Sequence, residues 1–252
     1  MISEIEAKSI LNRSSIGDYC INPYVGCVHA CVYCYASYYA RRMGYAADWG
    51  SYVLVKRNAL QLLGRELRRK KKGVVYISSL TDAYQPVEES YEITRRVLEV
   101  LISNGWPFMI QTKSPLVLRD LDLISSSRSA EVGFTVITLD EDIRKVLEPR
   151  APAVEARIRA LRELKDSGVR TFTFIGPVIP GTPIRDLMEL VNEVREFSDV
   201  IYFDKFRAKP GLRDIREFIS GAEDLDTEAY YYRMKSVIQE KLSGKIKLAF
   251  LY

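Results

Sequence analysis

The chain has 252 residues, 47% of them hydrophobic and 28% charged, with a formal net charge of +4. No apolar run reaches the ~20 residues that span a bilayer, and four cysteines, three of them clustered, do not make the disulfide framework of an extracellular domain. We therefore expect a soluble, cytoplasmic protein with a sizeable core, and the high charge with few Asn, Gln and His residues indicates a thermophilic source.

The first chemically informative segment is residues 22–36, in which Cys27, Cys31 and Cys34 follow a C-x3-C-x2-C spacing. Three soft thiolates in one short loop suit a metal or an iron–sulfur cluster. A cubane cluster with three protein ligands keeps one iron open for chemistry. His29, the only histidine, is the alternative fourth ligand of a zinc site, although its place between the first two cysteines would require a cramped chelate ring.

This segment resembles the signature of the radical S-adenosylmethionine superfamily, and more narrowly its spore photoproduct lyase-like branch. The resemblance implies a 4Fe–4S cluster on the three cysteines, with the amino and carboxylate groups of S-adenosylmethionine on the open iron. It also implies that one electron, from a donor such as flavodoxin or ferredoxin, cleaves the cofactor to a 5′-deoxyadenosyl radical. True spore photoproduct lyase uses a further cysteine after its second strand, where this chain has Ser78-Ser79-Leu80. Lesion repair by that mechanism is therefore not expected here.

Downstream of a helix predicted at 35–43, short β-branched and aromatic runs alternate with segments of helical periodicity. A first strand is predicted just before the cysteines, and further strands at 73–78, 107–112, 132–137, 169–175 and 200–204. Such alternation indicates βαβ units and a parallel sheet. We predict one α/β domain, a partial (β/α)6 TIM-like barrel with its cluster loop at 27–34 and its core at about 19–210. A C-terminal helix and tail are predicted at about 211–252, with a short strand in 245–252.

Polar residues follow the second predicted strand, at the end where α/β barrels collect their ligands. The run from Thr81 to Glu88 resembles a Thr-Asp-x-Tyr-Gln-Pro-x-Glu segment of the lyase-like branch. By that resemblance Ser79, Thr81 and Asp82 supply acceptors near the ammonium of the cofactor's methionine moiety. In the alternative interpretation, Thr81 or Asp82 only caps the helix that follows.

The next three strand ends extend the predicted cofactor site. By resemblance, Lys113 and Ser114 lie beside the cofactor carboxylate, and Thr135 and Thr138 approach the ribose. Ile179 follows the fifth strand and offers apolar surface for the adenine. In the alternative interpretations, Lys113 is only an exposed lysine, and the segment that contains Ile179 is a plain proline-rich turn.

Two further features complete the sequence-based prediction. Tyr33, inside the cysteine loop, is a candidate cofactor contact, with packing beneath the cluster as the alternative. Arg150 either pairs with the cofactor carboxylate or ties down its own turn.

A run of basic and aromatic residues, Lys205-Phe206-Arg207-Ala208-Lys209, follows the sixth strand, with Arg213 and Arg216 beyond it. This pattern suits an anionic substrate, although a solvated charge run looks the same. We therefore predict a lyase-like radical enzyme acting on a nucleic acid or nucleotide. The alternatives are radical modification of a peptide or small metabolite, and a non-catalytic zinc-stabilised nucleic-acid-binding protein.

Overall fold

The computed structural model describes residues 1–45, 47–210, 215–218, 225–242 and 244–251. The strands are β1 (Ile2–Ile5), β2 (Leu11–Arg13), β3 (Tyr19–Ile21), β4 (Tyr24–Val25), β5 (Val53–Lys56), β6 (Val75–Ile77), β7 (Phe108–Thr112), β8 (Ala130–Thr135), β9 (Arg170–Val178), β10 (Val200–Lys205) and β11 (Lys247–Leu251). The α-helices are α1 (Tyr35–Arg42), α2 (Ala59–Leu67), α3 (Glu88–Tyr91), α4 (Ile93–Ser103), α5 (Leu121–Ser126), α6 (Glu141–Leu147), α7 (Val154–Asp166), α8 (Ile184–Val194) and α9 (Thr227–Leu242).

Eight of these strands form one sheet in the order β11-β10-β9-β8-β7-β6-β3-β2. Strand β2 runs antiparallel to β3, and every other neighbouring pair is parallel. The described strands do not close the sheet, because β2 and β11 are its two edges. The predicted α/β fold with a partial barrel is confirmed, and all six predicted barrel strands are present as β3 and β6–β10.

Buried apolar side chains recur every second residue in the strands and every three to four residues in the helices. In β7, Phe108 and Ile110 point into the core at a spacing of two. In α4, Ile93, Val97 and Leu101 are buried at helical spacing. These side chains belong to one continuous core between the sheet and its helices. None of the helices in the described ranges is long and apolar enough to cross a membrane.

A second sheet, in the order β1-β5-β4, was not predicted. Its strands are short: β1 alternates exposed with half-buried positions and β4 has two residues, so an apolar run, Tyr52-Val53-Leu54-Val55, marks only β5 of the three. This small sheet matters for the site because β4 leads directly into the cysteine loop. The predicted terminal strand is present as β11, which pairs with β10.

Candidate cofactor and substrate site

The cysteine loop joins β4 to α1, which begins directly after Cys34. Cys27 and Cys31 are buried and Cys34 is half-buried, and all three line one cavity of about 520 Å³. Within the described ranges, no group of three or more His, Cys, Asp and Glu side chains is arranged to hold a single metal ion. A cubane cluster spaces its cysteines more widely than one ion does, because each binds a different iron.

The three thiols are difficult to ionise in this loop. Burial raises the pKa of Cys31 to about 12, and it also raises the pKa of Cys27 and of Cys34. Metal ligation requires the thiolate form. The donor set therefore fits a bound group that brings positive charge, as an iron–sulfur core does.

One side of the cysteine loop is held by the segment between β6 and α3. The Thr81 hydroxyl donates to the Gly26 carbonyl at 2.6 Å. The fully buried Gln85 side chain donates to the same carbonyl at 3.2 Å and accepts from the Val28 N–H at 3.0 Å. Thr81 thus supports the loop as well as lining the cavity, and Gln85 is a supporting residue to which the sequence analysis gave no role.

The other side of the loop is held by the turn between α6 and α7. The Val32 N–H donates to the Leu147 carbonyl at 2.9 Å, and the Arg150 N–H donates to the His29 carbonyl at 3.2 Å. The Arg150 guanidinium donates to the Gly50 carbonyl at 2.7 Å. Arg150 does not line the cavity, which favours the interpretation that it ties down the turn.

Two glycines are required for the close approach of other backbone to the cysteine loop. Gly26 has φ +87°, and a Cβ there would lie 2.4 Å from the Tyr52 carbonyl oxygen. Gly50 has φ +93°, and a Cβ there would lie 2.4 Å from the Cβ of Ala30. Only glycine combines this backbone conformation with the space available.

Asp82 forms the anionic part of the cavity wall. It accepts from the Thr112 hydroxyl at 2.6 Å, the Lys113 N–H at 2.8 Å and the Tyr84 N–H at 2.9 Å. Its Oδ2 lies 3.4 Å from Nδ1 of the buried His29. Burial by itself raises the pKa of Asp82, but the hydrogen bonds from His29, Thr112 and the Lys113 backbone outweigh it and lower the pKa below its usual range. The carboxylate is therefore ionised at neutral pH, as an acceptor for an ammonium must be.

A buried charge cluster lies beside Asp82. The Tyr33 hydroxyl donates to Glu148, whose Oε1 is 3.7 Å from the Lys113 ammonium and whose Oε2 is 2.6 Å from the Arg157 guanidinium. Burial lowers the pKa of Lys113, but Cys31 and Glu148 outweigh it and raise the pKa above its usual value. The ammonium of Lys113 thus stays charged at the cavity wall.

The structure brings together most, but not all, of the predicted cofactor residues. The residues that line the cavity with the cysteines are Tyr33, Ser79, Thr81, Asp82, Lys113 and Thr135. Ser114, Thr138 and Ile179 do not line it. The Ser114 hydroxyl accepts from the Leu116 N–H and caps a short 3-10 segment, Thr138 accepts from the Asp140 N–H, and Ile179 packs in a small apolar cluster.

Part of the predicted basic run reaches the cavity. Lys205, Arg207 and Lys209 line it. Arg216 donates to the Leu225 carbonyl at 3.4 Å and does not line it. Arg213 lies outside the described residues.

The three lining cations differ in how they are paired. Lys205 lies 2.9 Å from Glu228, and Arg207 lies 2.8 Å from Asp204. No described residue forms an ion pair with Lys209. Among these three cations, Lys209 is therefore the one whose charge is least compensated by the described part of the chain.

Aromatic side chains line the same cavity. Tyr35 and Tyr39, on α1, are 40% and 42% exposed although they line it together with Trp49. Ile16, which follows β2, and Leu251, at the end of β11, belong to the same lining. The lining of the cavity therefore extends to both edges of the sheet, between which the described strands form no pairing.

The family of the chain follows from its sequence as well as from this site. Residues 21–194 match the sequence profile of the Radical SAM superfamily. A protein of Methanocaldococcus jannaschii is 36% identical over 231 residues, which cover 91% of this chain and 85% of that protein. The chain belongs to the radical S-adenosylmethionine superfamily. As an enzyme family it implies a 4Fe–4S cluster, S-adenosylmethionine and a reductant.

Two further similarities are more distant. A radical SAM Nalpha-GlyT isomerase of Pseudomonas phage M6 is 25% identical over 187 residues, which cover 72% of this chain and 38% of the isomerase. The structure of a spore photoproduct lyase in complex with a dinucleoside spore photoproduct superposes with a TM-score of 0.74 and 16% identity, covering 100% of this chain and 82% of the lyase. The second similarity concerns the fold alone.

Proposed function

We propose that Cys27, Cys31 and Cys34 bind the 4Fe–4S cluster and that S-adenosylmethionine binds beside it in the cavity. When bound, the pair supplies a 5′-deoxyadenosyl radical for hydrogen abstraction, fed by a one-electron donor of the flavodoxin or ferredoxin class. The observation that carries the proposal is the convergence of three cysteine thiols, an ionised carboxylate and a charged lysine on one cavity. The cytoplasm is the compartment in which such thiols stay reduced.

The two charged residues of the cavity wall bind different groups of the cofactor. Asp82 accepts from the cofactor ammonium, because a buried ionised carboxylate needs a cationic donor. Lys113 pairs with the cofactor carboxylate. Tyr33 and Thr135 complete the wall with hydroxyl groups, and Ser79 and Thr81 offer acceptors between the cluster loop and the second barrel strand.

We further propose that the substrate is a nucleotide or nucleic acid. Lys205, Arg207 and Lys209 beside the exposed Tyr35 and Tyr39 give the charge and stacking surfaces that such a ligand uses. A spore photoproduct lyase that shares this fold forms a complex with a dinucleoside, a ligand of the same class. Because Ser78-Ser79-Leu80 stands in the region where the lyase has its thiol, we do not expect lesion repair by a cysteine hydrogen donor from that position.

Anaerobic reconstitution with iron and sulfide tests the cluster. The wild-type protein is expected to bind about four irons per chain and, after reduction with S-adenosylmethionine, to release 5′-deoxyadenosine. Cys34→Ala is expected to lose both properties. Cys20→Ala is the matched control, because Cys20 lies on β3 outside the loop. Colourless wild-type protein that retains zinc would instead support the non-catalytic zinc-stabilised alternative.

Binding of a labelled single-stranded oligonucleotide at several salt concentrations tests the substrate class. Phosphate contacts predict an affinity that falls steeply with salt, and Lys209→Glu is expected to weaken it. Lys165→Glu, on the outer helix α7, is the matched charge control. No detectable binding at low salt would favour the peptide or small-metabolite alternative.

A further inference from the structure

Glu148 is a fully buried carboxylate that does not itself line the cavity. Two residues that do line it, Tyr33 and Lys113, both contact Glu148: the tyrosine through its hydroxyl and the lysine at 3.7 Å. The Lys113 ammonium also lies 5.6 Å from the centre of the Tyr33 ring. Glu148 is therefore in contact with the cavity wall through these two side chains.

Glu148 is itself fixed from behind by Arg157. The Arg157 side chain is 0% exposed. Its Nη1 donates to the Thr135 carbonyl at 3.0 Å, and its Nε and Nη2 donate to the Pro152 carbonyl at 2.9 and 2.7 Å. These backbone contacts leave the guanidinium a single position, 2.6 Å from Glu148 Oε2.

The buried charge cluster contains more positive than negative charge. One carboxylate faces two cations, Lys113 and Arg157. The buried Glu148 Oε2 is matched by Arg157 alone, through an ion pair at 2.6 Å whose angle is poor for a hydrogen bond. Such an arrangement is a poor way to gain stability, since buried ion pairs are often matched by apolar residues of similar size. It does hold an ammonium and a phenol at fixed places on the cavity wall.

We propose that Glu148, held by Arg157, is a positioning residue for the cofactor: it fixes the Lys113 ammonium and the Tyr33 phenol where the cofactor binds. The assignment rests on the proposed function, in which Lys113 pairs with the cofactor carboxylate. Residues that orient the groups in direct contact with a ligand typically change affinity or activity by about 10- to 100-fold when lost. The loss of Glu148 is expected to act in this range.

A charge-neutral double variant separates positioning from stability. Glu148→Met alone leaves the Arg157 guanidinium buried without its counter-ion, so a fall in melting temperature is expected. Glu148→Met with Arg157→Met removes one negative and one positive charge, so the net charge beside the cavity is unchanged. The melting temperature is expected to recover part of its loss, because the buried charge is removed but the Thr135 and Pro152 carbonyls lose their donors. Bound iron is expected to stay at the wild-type level.

The deciding measurement is the dissociation constant for S-adenosylmethionine, determined by equilibrium dialysis on the reconstituted double variant. Positioning predicts that the constant stays raised by about 10-fold or more although stability has partly recovered. A wild-type value would overturn the proposal. Asp199→Asn is the matched control, because it loses contacts to Lys165 and Thr171 at the opposite end of the sheet and should lower stability without changing cofactor affinity.

If the Glu148→Met/Arg157→Met variant is poorly stable, a double-mutant cycle of Glu148→Gln and Lys113→Met tests the proposal instead. Glu148→Gln is used there because it preserves the side-chain volume. If Glu148 acts through Lys113, the lysine substitution weakens cofactor binding less in the Glu148 variant than in the wild type. Strictly multiplicative effects would overturn the proposal. Wild-type protein that takes up no cluster or cofactor would overturn the proposed function itself, so the two failures are distinguishable.

Discussion

Replacing Gly50 by alanine is expected to lower stability and loosen the cysteine loop. Gly50 has φ +93°, and a Cβ there would lie 2.4 Å from the Ala30 Cβ and 3.2 Å from its Cα. Ala30 belongs to the cysteine loop and itself has φ +56°. The new methyl group must therefore displace the loop or the segment that carries Gly50.

The size of the effect can be worked out from two contributions. Left-handed backbone costs an L-residue roughly 1–2 kcal/mol, and an extra methyl in a filled site costs typically about 1–3 kcal/mol. Gly44 has nearly the same backbone, φ +90°, but a Cβ there would meet no heavy atom within 4 Å. Gly44→Ala therefore carries only the first cost, whereas Gly50→Ala carries both, about 2–5 kcal/mol in total.

Thermal unfolding of the cluster-free proteins measures the difference between these two variants. For a chain of this size each kcal/mol corresponds to roughly 2–4 °C, so Gly50→Ala should melt about 2–12 °C below Gly44→Ala. Adding Ala30→Gly to Gly50→Ala removes the close Cβ contact and should restore part of the loss. Equal melting temperatures for the two alanine variants would refute the reasoning.

Two further predictions concern the residues that support the loop and the cavity wall. Asp82→Asn should weaken S-adenosylmethionine binding by about 10- to 150-fold, the range of a charge-assisted hydrogen bond worth about 1.5–3 kcal/mol, in a binding titration; an unchanged affinity would argue against the ammonium contact. Because the folded protein lowers the pKa of Asp82 below its usual value of 3.8, the stability lost in this variant at neutral pH should shrink as the pH falls below 3.8, as urea unfolding of the cluster-free protein can measure. Gln85→Leu leaves the Val28 N–H without its acceptor and should cost about 1–3 kcal/mol of unfolding free energy, with faster loss of iron on dilution. Iron retention equal to the wild type would show that the Thr81 contact suffices.

Much of the fold could be predicted because its signals are local. The barrel strands are short apolar runs with buried neighbours, and the cysteine spacing is legible in a single loop. Lys113 could be placed because it directly follows β7, and Asp82 because it lies in the loop after β6. The strands β1 and β4 could not, because β1 alternates exposed with half-buried positions and β4 has only two residues. The apolar run Tyr52-Val53-Leu54-Val55 marks β5, but one short run outside the strand–helix alternation does not identify the sheet to which it belongs.

The charge cluster behind the cavity could not be predicted from spacing, because its members meet only through the fold. Glu148 and Lys113 come from separate strand–helix units, and nothing local pairs them. One signal was present in the sequence. Arg157 interrupts the apolar stripe formed by Val154, Ile158 and Leu161 on α7, and a charge on a buried helix face needs a partner.

The side opening between the edges of the sheet has a consequence for the size of what the enzyme handles. A closed barrel admits only molecules that fit through its end, whereas the lining of this cavity includes Ile16 and Leu251, which are exposed at the two unpaired edges of the sheet. A long chain can lie across that gap and insert a single unit towards the cysteine loop while the remainder stays in solvent. The cavity volume therefore limits the reacting unit and places no limit on the length of the molecule that carries it.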